Sequence, residues 1–223
     1  MHEDTRKDIS QGIMDFLQIS LISTKVKVGV VGGGRAALIK VKNFLEKGCS
    51  VEVLSKDFAE DFKAIADEKL KIIKGVYDKA FIMDKHIVIL ALEPGEALEE
   101  AIKHCEDHHK IYINCSDFKE GMALMPTQYR GENLCFSLHT SGGNPRATKM
   151  IMGKVTKQLE EYDEFIGYIT KLRNNAKALE HKENIINFLV SEDFEYFHKK
   201  EKERLIITMF FGEEISEKIF GGE

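Results

Sequence analysis

Residues Val26 to Lys40 read VKVGVVGGGRAALIK: an apolar run of strand type meets three consecutive glycines and passes straight into helical periodicity, with Ala37, Val41 and Phe44 on one face. The stretch predicts a strand, a tight turn and a helix. Within it, the spacing Gly32-x-Gly34-x-x-Ala37 gives each small residue a task. The first permits a sharp turn, the second lets the backbone approach a pyrophosphate, and the third allows the helix to pack closely on the strand. Free N–H groups and the helix dipole favour a phosphate there, so Gly32, Gly33, Gly34, Arg35 and Ala36 form the expected dinucleotide turn. A glycine turn serving the backbone alone is the plainer reading of the same residues.

Outward from this turn the chain alternates. Gly48 ends the first helix and Ser50 to Leu54 reads as a second strand. Asp57 to Glu68 reads as a helix, Leu70 to Ile73 as a third strand, and His86 to Leu92 as a fourth whose apolar run suits a buried parallel strand. Pro94 stands at the start of a helix carrying Leu98, Ile102 and Cys105, and Lys110 to Asn114 makes a fifth strand. Towards the N-terminus, Leu17, Ile19 and Leu21 alternate with polar neighbours, which predicts a short edge strand over Phe16 to Leu21 after a lead-in. Alternating strands and helices imply right-handed crossovers and a parallel sheet. The expected class is α/β: a Rossmann-like parallel-sheet domain followed by a small dimerisation region and a helical C-terminal domain.

In an open parallel sheet the ligand lies outside the carboxyl ends of the strands. That rule gathers Gly32 to Ala36, the turn Ser55, Lys56 and Asp57, the pair Leu92 and Glu93, and the turn from Asn114 to Asp117. Asp117 falls where a nicotinamide and its substrate should meet, and is the candidate acid or base. It is equally placed to cap the turn after the fifth strand. Asp57 lies at the distance expected for a contact to the adenosine ribose, while Lys56 beside it suits a 2′-phosphate, so spacing leaves NAD and NADP both open.

The alternation stops near Asp117. FKEGMALMPTQYRGEN leads to a strand over Leu134 to Leu138, and Ser141-Gly-Gly-Asn-Pro145 places Asn144 to cap a helix whose first residue is Pro145. Phe165, Ile169, Leu172, Ala176 and Leu179 then recur four and three apart, the seam of a helix packed on another helix. A short set of helices would leave that seam uncovered, which predicts burial against a second copy of the chain. The expected domains are 1–117 for the dinucleotide, 118–160 for dimerisation and 161–223 as a helical end.

At 223 residues, 43% hydrophobic and 31% charged, the chain has the composition of a globular protein, and its net charge of −5 opposes broad attraction to nucleic acid or an anionic membrane. No apolar stretch reaches the roughly twenty residues that cross a bilayer. Cys49, Cys105, Cys115 and Cys135 form no CxxC pair, and the N-terminus has no signal-peptide core, so a reducing cytoplasmic setting is expected. His104 and His108 stand four apart with His109 following, a spacing a metal can use, but EAIKHCEDHHK reads as a solvated face and no resident metal is expected. The Lys- and Glu-rich tract from His198 to Arg204 reads likewise as a solvated helix face.

Taken together, Val30-Val-Gly-Gly-Gly-Arg-Ala-Ala-Leu-Ile-Lys40, Val51-Glu-Val-Leu-Ser55, Asn114-Cys-Ser-Asp117 and Ser141-Gly-Gly with Pro145 resemble, in order and spacing, the precorrin-2 dehydrogenases. These form the dehydrogenase and ferrochelatase module of siroheme synthases. The resemblance implies NAD-dependent oxidation of precorrin-2 to sirohydrochlorin by an intertwined homodimer, in siroheme biosynthesis. Asp117 matches the family's essential aspartate and Ser141 its serine before the paired glycines, linked in some members to iron insertion, with Fe²⁺ as a substrate. Arg35, Ala36, Lys56 and Asp57 match positions that line the NAD site. Where the family often has Ala-Thr-Asp, this chain has Ala91-Leu-Glu-Pro94. A substrate rich in carboxylates suits a basic lining from Arg130, Arg146 and Lys149, with Asn114 nearby in the fifth-strand turn; ordinary surface cations are the alternative. A non-catalytic NAD-binding module that kept the fold is the competing reading of the whole chain.

Overall fold

The computed structural model describes residues 15–221. They fall into two compact units, Phe16–Met125 and the residues from Pro126 onward. The expected N-terminal lead-in lies mostly outside the described residues.

In the first unit, β1 (Lys27–Val31), β2 (Ser50–Ser55), β3 (Leu70–Lys74), β4 (Ile87–Leu90) and β5 (Ile111–Asn114) form one sheet in the order β3-β2-β1-β4-β5. All four pairings are parallel. Alternate residues point to opposite faces, so the sheet has a core on each side. Val28, Val30, Val51, Val53, Ile87 and Ile89 bury one face against Ala37, Leu38, Val41 and Phe44 of α1 (Arg35–Glu46). Val31, Val88, Leu90 and Tyr112 bury the other against Leu98, Ala101 and Cys105 of α2 (Glu96–Asp107). Each fully buried Val or Ile contributes about 1.5 to 3 kcal/mol over leaving it exposed. Gly48, at φ +84°, ends α1 as expected, with the Cys49 amide donating to the Phe44 carbonyl.

Gly29 leaves room on β1 for the stem of Lys85, whose Cγ would lie 3.0 Å from a Cβ added there. The Lys85 ammonium is 4% exposed, reaches Glu52 of β2 at 3.2 Å, and also pairs with Asp84. A buried cation so placed ties the start of β4 to β2, and removing its carboxylates would leave it uncompensated.

Three expectations in this unit are corrected. Phe16 to Leu21 is no strand but irregular chain, with Leu17 89% exposed. Its alternation is real, yet the five-stranded sheet formed by the described residues does not include it. Asp57 to Glu68 forms only a 3₁₀ turn at Glu60–Ala64. The Ala59 amide is drawn to the Gly33 carbonyl and the Asp67 side chain accepts from the Lys69 amide, bonds that compete with a helix. Finally, α2 starts at Glu96 after Gly95 (φ +149°), leaving Pro94 outside it.

The second unit opens with an antiparallel hairpin of β6 (Thr127–Arg130) and β7 (Cys135–Leu138). The shortness of β6 hid it within the glycine-containing tract. Then comes α3 (Pro145–Ala176), one uninterrupted helix through positions 160 and 161, followed by α4 (Lys182–Leu189), α5 (Glu192–His198), α6 (Glu203–Phe211) and α7 (Glu213–Phe220). Asn144 caps α3 as expected, its side chain accepting from the Ala147 amide at 3.0 Å. The seam Ile169, Leu172 and Ala176 is buried, with Phe165 and Leu179 partly so, against Ile185, Leu189, Phe194, Ile207 and Ile219. The chain's own short helices thus cover the face that was expected to need a second copy.

Candidate functional site

At the carboxyl end of β1 the three glycines stand in different surroundings. Gly32 sits at φ +116°, and a Cβ there would meet the Ala91 carbonyl oxygen at 2.2 Å. Its amide donates to the Leu54 carbonyl at 2.9 Å, so the turn is pinned between the ends of β2 and β4. At Gly33 a Cβ would stand 2.2 Å from the Asp57 carbonyl oxygen and 2.9 Å from Ser55 Oγ. Gly34 differs: it precedes α1 at φ −81°, and a Cβ would meet nothing within 4 Å. Gly34, Arg35 and Ala36 are exposed, and the amides of Gly33 to Ala36 find no acceptor among the described residues. Unfilled space in front of unpaired amides at a helix start fits the diphosphate of a dinucleotide.

The turn after β2 packs directly on these glycines. Ser55 is the last residue of β2 and is half-buried, while Lys56 and Asp57 are exposed. Asp57 Oδ1 lies 3.9 Å from Lys74 Nζ. Beyond β4, the Leu92 carbonyl accepts from Ser116 Oγ at 2.7 Å, and Glu93 points to solvent. Ser116, in the turn after β5, thereby ties the two turns together.

Asn114 ends β5 and is 2% exposed. Its Oδ1 accepts from the amides of Ser116 at 2.9 Å and Asp117 at 3.4 Å, and its Nδ2 donates to Glu120 at 3.3 Å. This side chain therefore shapes the loop that carries Asp117. Asp117 itself is exposed, and its Oδ1 accepts from the Lys119 amide at 2.9 Å, capping the 3₁₀ turn Phe118–Glu120. The capping role is thus realised. Burial pushes the neighbouring Cys115 thiol up, against the opposing pull of Lys40, so it stays protonated. Sequence reasoning passed over Ser116 and Glu120; an Asn followed two residues on by Ser was the available sign of a side-chain-closed turn.

The other predicted residues belong to the second unit. Ser141 is exposed in the turn after β7, where Gly143 takes φ +67° and Thr140 Oγ1 accepts from the Asn144 amide at 2.7 Å. Arg146 and Lys149 are exposed on the first turns of α3. Arg130 lines an open cleft of about 900 Å³ with Tyr129, Glu160, Asp163, Tyr168 and Lys171. There Asp163 accepts from the amides of Glu132 (2.8 Å), Asn133 (3.0 Å) and Leu134 (2.6 Å), clamping the hairpin turn to α3. Desolvation opposes ionisation of that carboxylate, but the three donors together hold its pKa below the ordinary value.

His104 is engaged locally, 3.3 Å from the Tyr77 hydroxyl and 4.0 Å from Glu100. Among the described residues no group of three or more His, Cys, Asp or Glu side chains could hold a metal ion. None of the helices is long and apolar enough to cross a membrane, again among the described residues.

Residues 19–127 match the family model described as "Putative NAD(P)-binding". A precorrin-2 dehydrogenase of Bacillus subtilis (strain 168) is 28% identical over 158 residues, which is 70% of this chain and 94% of that protein. The chain is a homologue of the precorrin-2 dehydrogenases. A second such enzyme, from Priestia megaterium, is 22% identical over 70% of this chain and 76% of its own length. Siroheme synthase 2 of Cronobacter sakazakii is 25% identical over 66% of this chain but only 33% of that longer protein. The solved structure titled SirC, precorrin-2 dehydrogenase, shares the fold, with a TM-score of 0.68 at 19% identity over 87% of this chain and 100% of that one.

Proposed function

We propose that this chain oxidises precorrin-2 to sirohydrochlorin, with NAD as the hydride acceptor. The observation that carries the reading is the turn Gly33 to Ala36, with amides unpaired among the described residues and no atom within 4 Å of a Cβ placed at Gly34. It lies where the strand order reverses between β1 and β4, the crevice in which this class of sheet binds dinucleotides. NAD held at this turn would supply the hydride acceptor, leaving the second hydrogen to be lost as a proton. Asp117, at the carboxyl end of β5, is the carboxylate we assign to orient or accept that proton. Its capping bond occupies Oδ1 and fixes the loop. Asn114 holds the same loop from below and is a positioning residue.

Precorrin-2 carries many carboxylates, for which Arg130, Arg146 and Lys149 supply exposed cations and Ser141 a hydroxyl. On this reading the protein acts in the cytoplasm as a homodimer. Met150 (58% exposed) and Ile151 (37%) on α3 are apolar surface such an assembly would cover. Iron insertion into the product is a separable second step, with Fe²⁺ as a substrate.

Mixing the protein with precorrin-2 and NAD⁺ should yield NADH and the sirohydrochlorin spectrum together. Bound NAD⁺ with no turnover would replace the enzyme by a binding module. Sedimentation in the same buffer tests the dimer, and adding Fe²⁺ to sirohydrochlorin alone tests chelation.

A further inference from the structure

We infer that Thr140 and Thr148 are positioning residues, whose hydroxyls close a ring of hydrogen bonds that sets the turn carrying Ser141 against the first turns of α3. The inference rests on the proposed reading of Ser141, Arg146 and Lys149 as substrate contacts. Asn144 belongs to the ring through both of its backbone groups. Its amide donates to Thr140 Oγ1 at 2.7 Å, and its carbonyl accepts from Thr148 Oγ1 at 2.9 Å. The two hydroxyl oxygens lie 3.5 Å apart. A threonine has one hydroxyl proton, and that of Thr148 is used on Asn144, so Thr140 is the donor across this gap. Each hydroxyl in the ring therefore donates once and accepts once, an arrangement in which every bond polarises the next.

A helical threonine that bonds back to the carbonyl four residues earlier gains little for the helix itself, because that carbonyl already accepts the Thr148 amide at 3.0 Å. What the Thr148 hydroxyl adds is the link to Thr140. From Thr140 the turn is closed a second time: the Gly143 amide donates to the Thr140 carbonyl at 2.8 Å, with Gly143 at φ +67°. Ser141 and Gly142 are thus the exposed tip of a loop held at both ends. On α3, Thr148 is 4% exposed and stands between exposed Arg146 and Lys149. The bond that fixes the turn therefore also fixes the helix positions from which both cations project. One buried clasp sets a hydroxyl and two cations relative to one another.

Steady-state oxidation of precorrin-2 by the wild type, Thr140→Val, Thr148→Val, the double valine variant, Thr140→Ser and Thr148→Ser tests the assignment, beside NAD⁺ titration and thermal melts. Each valine variant should raise KM for precorrin-2 by about three- to tenfold, the effect of one ordinary hydrogen bond, with kcat and the NAD⁺ dissociation constant near wild type. The double variant should be no worse than the worse single one, because either change opens the ring. Serine keeps the hydroxyl at each position and should hold KM within about twofold of wild type. In protein already carrying Ser141→Ala, Arg146→Ala and Lys149→Ala, the valine changes should leave KM where it stands. A lower Tm with unchanged KM, or a rise in KM that persists without those three side chains, would overturn the inference while leaving the dehydrogenase reading intact. Wild-type protein that binds NAD⁺ but oxidises no precorrin-2 would instead remove the proposed function.

Discussion

Gly34→Ala separates binding from folding at the one glycine of the turn that the fold does not itself need. The added methyl meets no atom within 4 Å, and φ −81° suits any residue, so neither clash nor strain follows. Alanine is a poorer helix N-cap than glycine, a cost of at most about 1 kcal/mol. For a chain of this size that lowers Tm by roughly 2 to 4 °C. The methyl does add bulk beside the unpaired amides of Gly33 to Ala36. A hydrogen bond to a charged phosphate contributes about 1.5 to 3 kcal/mol, so losing one such bond weakens NAD⁺ binding roughly ten- to a hundredfold. Gly32→Ala supplies the contrast. Its Cβ would lie 2.2 Å from the Ala91 carbonyl at φ +116°, so it should unfold the first unit at distinctly lower temperature whether or not cofactor is present. Calorimetric titration with NAD⁺, beside thermal melts followed by circular dichroism, reads both effects. A folded Gly34→Ala protein with the wild-type dissociation constant would refute a diphosphate at this turn.

Asp117→Asn keeps an oxygen to cap Phe118–Glu120 but removes the charge, so it should lower the rate of precorrin-2 oxidation while Tm and NAD⁺ affinity stay near wild type. Asp117→Ala should lower both rate and Tm, and a wild-type rate for Asp117→Asn beside a lowered one for Asp117→Ala would assign the residue to structure alone. Thiol labelling at pH 8 should show one fast cysteine, exposed Cys135, and Cys135→Ser should abolish that phase. Burial pushes Cys105 up to about 12 and raises Cys49 and Cys115 as well, leaving little thiolate to react. In acid, Asp84, depressed by its bond to Lys85, and Asp163, depressed by its backbone donors, contribute stability that is complete above their ordinary value of 3.8. That stability disappears as pH falls through their lower folded values, and Asp163→Asn should flatten this part of the pH–Tm curve.

The first unit was legible wherever the pattern and the local bonds agreed. Val28, Val30, Val51, Val53 and the run Ile87–Leu90 were readable as strands because parallel strands between two helical layers must be apolar on both faces. The pattern misled where a local bond overruled it, as when the Gly33 carbonyl took the Ala59 amide and ended a helix before it began. It misled again at Phe16 to Leu21, where an alternating segment stays outside the five-stranded sheet of the described residues. In the second unit the heptad-like seam from Phe165 to Ala176 lies on α3 as expected, but Leu179 falls beyond the helix end and the cover is not the expected one. The covering helices α4 to α7 have only seven to nine residues each, too short for periodicity to reveal them as one layer.

Within the candidate site, spacing singled out the glycines and Asp117 but could not rank their duties. Only coordinates distinguish Gly32 and Gly33, which the backbone needs for its own packing, from Gly34, which it does not. The same holds at β5. Capping and proton transfer stood as rival accounts of Asp117, yet a carboxylate has two oxygens and more lone pairs than one amide can use. The bond from the Lys119 amide to Oδ1 and the Asn114 bond to the Asp117 amide remove rotational freedom from the loop that carries the group. A base held in one orientation by a cap needs less reorganisation to meet its proton. If Asp117 is the base proposed above, the capping bond helps to orient it, and weakening Asn114 should slow the reaction without any change of charge at the site.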